Sequence, residues 1–254
     1  MSAAYLSLLL ADGRLPTGAH TQSAGLEPAL NHGLRLDRVP DYLVARLSTV
    51  TEVEAAAAVI ARRHWLADPA VPTDPAVPTD PAVPTDPAVP TDPAEPAVPT
   101  DPAVPTMKVV DRAWRVRTAS AALRDASDLL GRSYLRLAAT VWPRLAPLTA
   151  NRVAWCRAVV IGATAAEAGL DGAQTARLIG FDEVQTVIAA AVKLQPFDPS
   201  VAVAWAVAAG HVVEAMVARV AELSQVDEIP AYAAPQIEHW AELHTRTERR
   251  LFRA

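Results

Sequence analysis

Tyr42-Leu-Val-Ala-Arg-Leu-Ser-Thr-Val-Thr-Glu-Val-Glu-Ala-Ala-Ala-Ala-Val-Ile-Ala-Arg-Arg-His-Trp-Leu66 follows a single period. Tyr42, Leu43, Arg46, Leu47 and Val50 recur at three- and four-residue intervals, and Glu52 to Leu66 continue the rhythm with an alanine-rich stripe. Alanine favours a helix because it has no side-chain freedom to lose there. The segment predicts one long helix or a bent pair.

The same period extends outward. Met1 to Leu10 is apolar but has no basic lead-in and no small-residue cleavage site, so it reads as a first core helix and not as a signal peptide. Val109 to Leu130 and Ser133 to Trp142 read as helices, the second stopped by Pro143. Arg152 to Ala168 reads as another, with Gly169 as its C-terminal cap. Asp171-x-x-Gln174 has the reciprocal spacing of a capping box, and Asp198-Pro199 supplies a cap and a first-turn proline for a helix through Ala221. Pro235 opens a last helix running to about Arg250. Sustained strand alternation is missing, and the expected fold is all-α.

From Asp68 to Thr106 the chain repeats Asp-Pro-Ala-Val-Pro-Thr, with one nine-residue variant at Asp92 to Thr100. Proline at every third position matches the three-residue turn of polyproline II, and neither helix nor sheet absorbs so many missing donors. The expected organisation is therefore one multi-helix domain built from residues 1–67 and 107–254, interrupted by a 68–106 spacer. The tract lacks the flanking basic residue or aromatic cluster of a proline-recognition ligand, so it reads as a tolerated surface insertion.

The tract holds six Asp and Glu95 but neither Lys nor Arg, which leaves 21 acidic and 23 basic residues elsewhere. So balanced a body offers no basic field for nucleic acid or an anionic membrane, and proteins are the expected partners. The longest nearly uncharged stretch, Val201 to Val213, is shorter than the about 20 residues of a membrane span. A cytoplasmic location is expected. The single cysteine, Cys156, cannot form an internal disulfide, and its apolar neighbours mark it as a buried small hydrophobe.

The motifs of common chemistries are missing. The chain contains neither a phosphate loop nor a dinucleotide glycine fingerprint. Thr21-Gln-Ser-Ala-Gly25 lacks the first glycine of a nucleophile elbow, and Ser23 reads as a helix-start or hydrogen-bonding serine. No two of the six histidines sit at the i,i+4 spacing that aligns ligands on one helix face. A non-catalytic protein without a metal cage in the monomer is expected. His20 remains a weak ligand candidate at a seam between two copies.

One run is more specific. Pro16, Gly18, His20, Ser23, Gly25, Leu26 and Glu27 resemble the N-terminal signature Pro-x-Gly-x-aromatic-or-His-x-x-Ser-x-Gly-Leu-Glu of the urease accessory protein UreF family. Arg124-Asp-Ala-Ser127 with Gly131-Arg-Ser-Tyr-Leu-Arg-Leu-Ala resembles that family's Arg-x-x-Ser-x-x-x-Gly-x-x-x-Leu helix. Val160-Ile-Gly162 through Gly169-Leu170 is similar to its central helix and turn, and His244 with Arg250-Leu-Phe-Arg253 to its terminus. Three features depart from the pattern. Pro28 requires the second helix to begin late or kink, Gln195-Pro-Phe-Asp198 replaces a Gly-Gln-like stretch, and Ala254 replaces a terminal serine.

The resemblance implies a UreF-like helical fold and a chaperone or scaffold role in urease maturation. Its implied partners are UreD, the GTPase UreG and apo-urease, with a homodimer in the complex, no tightly bound cofactor and nickel at most in transit. It places partner contacts at Pro16, Gly18, His20, Ser23, Gly25 and Glu27, at Arg124 and Ser127, and at Arg250, Leu251, Phe252 and Arg253. A helical binding module of the same fold that has lost urease partners is the alternative, with Pro28 and Pro196 as its marks.

Overall fold

The computed structural model describes residues 2–67, 103–152, 154–248 and 250–252. Ten α-helices and no strand occur among them, in agreement with the all-α expectation. The opening segment is a bent pair, α3 (Val39–Leu47) and α4 (Val50–Leu66), broken at Ser48 and Thr49.

Helix α4 is the axis of the fold. Ala55 to Ala61 are fully buried, which requires neighbours on every side. One is α7 (Arg157–Glu167), where a Cβ at Gly162 would lie 2.3 Å from the Ala58 carbonyl oxygen. Only alanine facing glycine permits such an approach, and dispersion attraction between the touching backbones compensates for the missing side-chain volume. α8 (Gly172–Leu194) and α5 (Ala103–Arg117) cover other sides of α4. α9 (Pro199–Val220) packs on α8, and Arg219 grips the buried carboxylate of Glu52 on α4 at 2.8 and 2.7 Å. α6 (Ala121–Val141) lies on α7, while α2 (Leu26–Asn31) and α10 (Pro235–Thr245) pack together at one end.

Several local expectations hold. Asp171 and Gln174 form the capping box of α8, Asp198 caps α9, and Gly169 takes the left-handed conformation after α7. α2 begins at Leu26, so Pro28 falls in its first turn, where no helical hydrogen bond is lost. Cys156 is fully buried, and burial pushes its thiol well up.

Others are corrected. Helix α1 (Ala3–Leu10) buries only Leu10 and leaves Leu8 75% exposed, so it is a surface helix and not a core one. The break expected after Leu130 lies instead at Thr118–Ser120, where the Ser120 hydroxyl caps α6 by accepting the Leu123 N–H. Gly131 lies inside α6, and only glycine fits there because a Cβ would come within 2.1 Å of the Trp155 carbonyl oxygen. The helix placed from Arg152 begins at Arg157, and α10 stops at Thr245, short of Arg250. Helix α9 has 22 residues and mean hydropathy 1.8 over its apolar window, so it is long and apolar enough to cross a membrane by length and composition.

The polyproline II reading of the tract lies outside the described residues, although α5 opens at Ala103 and takes the last residues of the repeat into its first turn. Because α4 and α5 pack against each other, replacing residues 68–101 by a short Gly/Ser linker should leave the fold intact. Cutting that connection roughly fourfold changes loop closure by about 1 kcal/mol, in the stabilising direction. A thermal melt of the deleted chain checks this, and loss of the folded protein would refute it.

Candidate functional site

The segment between α1 and α2 turns through left-handed residues at Gly18, Ala24 and Gly25, with φ of 83°, 50° and 74°. Gly25 is a steric necessity, since a Cβ there would sit 2.8 Å from the Tyr42 hydroxyl. That hydroxyl donates to the Ala24 carbonyl at 2.7 Å, and burial pushes its pKa up to about 12. Gly25→Ala should therefore cost about 2 kcal/mol or more, through backbone strain and the clash. A urea melt reads this as a lowered midpoint, and an unchanged midpoint would contradict it.

Ser23 then starts α2, its hydroxyl accepting the Glu27 N–H at 3.3 Å. The buried Glu27 side chain reaches the far end of the chain. One carboxylate oxygen accepts the Leu251 N–H at 2.7 Å and the other the Phe252 N–H at 2.8 Å. His244 Nε2, on α10, lies 3.1 Å from the Phe252 carbonyl oxygen, and the Lys193 ammonium stands 5.4 Å from the centre of the Phe252 ring. Residues 250–252 thus form a strap held by the N-terminal signature. Phe252 is only 4% exposed and Leu251 64% exposed.

Helix α6 is fixed from several directions. The Glu242 carboxylate on α10 accepts from the Ser120 hydroxyl at 2.6 Å and the Ala122 N–H at 3.0 Å, bonds that hold its pKa below the ordinary value. Arg124 donates to the Thr118 and Ala119 carbonyls at 2.5 and 2.8 Å and so closes the α5–α6 break. The Ser127 hydroxyl accepts the Arg157 N–H at 2.9 Å, while Asp111 accepts the Cys156 N–H at 2.8 Å. Two neighbouring helices thereby supply the caps that α7 lacks in its own sequence.

Between the first loop, α6, α10 and the strap lies a cavity of about 460 Å³. Leu123, Leu130 and Trp114 give it apolar walls, and Arg46, Glu54, Arg157 and Glu183 give it a charged base. Arg157 holds Glu54 through two bonds of 2.7 and 2.8 Å and also binds Asp182, while Arg46 binds Glu183. Burial alone would push the Arg157 guanidinium down, but the charges of Glu54 and Asp182 outweigh it and hold its pKa well above normal. The Asp182 carboxyl is shifted up, because burial exceeds the help it receives from Arg157.

The sequence-selected residues fall into two groups. Ser23, Gly25, Glu27, Ser127 and Phe252 are buried and shape the site, and Gly18 and Arg124 are half-buried. Pro16, His20, Arg250 and Leu251 are exposed, and Arg253 lies outside the described residues. No group of three or more potential metal ligands occurs among the described residues. Sequence reading missed Arg46, Glu54, Arg157, Asp182 and Glu183. Its one usable signal was charge at core positions, since Arg46 occupies the apolar stripe Tyr42, Leu43, Leu47.

These features define an all-helical protein whose two ends meet beside a lined cavity. The UreF family model matches residues 36–210, and the chain belongs to the UreF family. It is 29% identical over 247 residues to the urease accessory protein UreF of Mycobacterium sp. (strain JLS), covering 96% of each chain. Against the protein of the same name from Mycolicibacterium vanbaalenii it is 28% identical over 254 residues, covering 99% of each. Against that of Mycobacterium marinum it is 29% identical over 202 residues, covering 79% of this chain and 77% of the relative.

Proposed function

We propose that this chain is a non-catalytic scaffold of urease maturation in the cytoplasm, binding UreD and UreG, commonly as a homodimer, while nickel passes to apo-urease as cargo. Membership of the UreF family supports the reading. The observation that carries it further is the coupling of the two signature ends through Glu27, which leaves Pro16, His20, Arg250 and Leu251 outward. A scaffold needs surfaces held in one shape and needs no reacting group. Imidazole suits nickel, and His20 is this chain's candidate ligand at a seam between two copies.

Co-purification with UreD and UreG, with and without nickel and GTP, tests the reading. A ternary complex is expected, with no GTP hydrolysis by the isolated chain. A chain that recruits neither protein would fit the alternative of a module that has lost its urease partners.

A further inference from the structure

Helix α9 shows water an apolar side. From Pro199 to Val213 it carries neither an acidic nor a basic residue, yet Val203 is 62% exposed and Val207 76% exposed. Its neighbour α8 continues that side. A Cβ at Gly180 would meet Val213 at 2.8 Å, which marks where the two helices touch, and the Arg177–Glu214 pair, at 2.6 and 2.7 Å, marks the outer edge of the contact. At about 100° per residue, Phe181 and Val192 on α8 and Val203, Val207 and Gly210 on α9 lie within about 60° of that edge. The four large side chains among them are exposed. Together the helices present one shallow apolar face, closed at one end by the charged pair.

Gly210 is a second observation. A helix interior penalises glycine, which is kept where a neighbour comes too close for a side chain. That explanation holds for Gly131, Gly162 and Gly180, where an added Cβ would lie 2.1, 2.3 and 2.8 Å from Trp155, Ala58 and Val213. At Gly210 no described atom beyond its own helical turns lies within 4 Å of the added Cβ. A neighbour that uses this glycine has to come from outside the chain.

We propose that the α8–α9 face is the seam on which a second copy of this chain docks, α9 of each copy lying antiparallel in the trough between α8 and α9 of the other. Three properties select a second copy. α9 is itself an uncharged helix of the kind that fits the trough, so a two-fold contact buries both apolar sides at once. Opposed helix dipoles attract in the antiparallel arrangement. The area also suffices: a face about 33 Å long and two helices, about 20 Å, wide buries roughly 1,300 Å² between two copies, within the range of specific interfaces. A membrane surface fits less well, because interfacial helices edge their apolar side with Lys and Arg, and here that edge carries Arg177 neutralised by Glu214. The inference rests on the homodimer reading above and adds its surface.

The test is sedimentation equilibrium of the isolated full chain from about 1 to 100 μM, where a reversible dimer is expected. Val207→Glu sets a charge in the seam and should weaken the dimer roughly a hundredfold or more. Gly210→Ala should weaken it roughly tenfold while raising the melting temperature of the dilute monomer, a pairing of effects that misfolding cannot imitate. Val116→Glu, on α5 and equally exposed, should change neither. A dimer that tolerates either substitution on α9 overturns the inference but spares the homodimer reading, whose seam then lies on another surface such as the His20 loop. A chain that stays monomeric at every concentration overturns both, and its uptake by phosphatidylcholine vesicles would give the face to a membrane instead. The scaffold reading is judged separately, by recruitment of UreD and UreG.

Discussion

Arg157→Met should lower stability by about 3 kcal/mol, because it leaves the half-buried carboxylates of Glu54 and Asp182 without their cation. In a domain of this size that corresponds to a fall in melting temperature of roughly 10 °C. The loss comes from stranded charge more than from the absent ion pair itself. Neutralising one stranded partner should therefore restore part of it, and Arg157→Met with Glu54→Gln is expected to melt above Arg157→Met alone. Scanning calorimetry of the three chains decides the matter. A double variant no more stable than the single one would mean that arginine packing, and not charge, holds this region.

Truncation after Arg249 is the second large effect. It removes the buried Phe252 ring and the two N–H groups that satisfy Glu27, so a loss of about 3–5 kcal/mol is expected. The family resemblance places Phe252 among the partner contacts. The structure instead shows Phe252 covered by its own chain, which makes the strap part of the fold before any partner arrives. Leu251 separates the two roles. Being 64% exposed, it should tolerate replacement by Ala with a stability change within about 0.5 kcal/mol. If the proposed docking role is right, Leu251→Ala weakens recruitment of UreD or UreG at an unchanged melting temperature. Full recruitment by Leu251→Ala would remove this residue from the proposed interface.

Local signals carried most of the helix reading. Capping residues act within four positions of where they sit, so Asp171, Asp198 and Gly169 could be placed from neighbours alone. Ser120 escaped notice because its N3 position holds Leu123 where a reciprocal Glu or Gln would mark the start, while the apolar period ran on through the break. Gly131 misled for the opposite reason, since its purpose is close passage of the Trp155 backbone, a contact that spacing cannot reveal. The candidate site was legible only at its edges. Both ends of the chain carried recognisable signatures, but the bond from Glu27 to Leu251 and Phe252, the pairing of Arg46 with Glu183, and the cavity among them join residues far apart in sequence. Charges at core positions announce that partners exist without saying which.

The Glu27 clamp also orders events during biosynthesis. Leu251 lies 224 residues beyond its acceptor. At ribosomal rates of roughly 5–20 residues per second, the signature loop spends tens of seconds outside the exit tunnel before the strap is made. Throughout that interval Glu27 lacks its two donors and one wall of the cavity does not yet exist, while the α3–α4 pair can already form. This end of the fold is therefore open until residues 250–252 have been made, and it closes only when Leu251 and Phe252 reach Glu27.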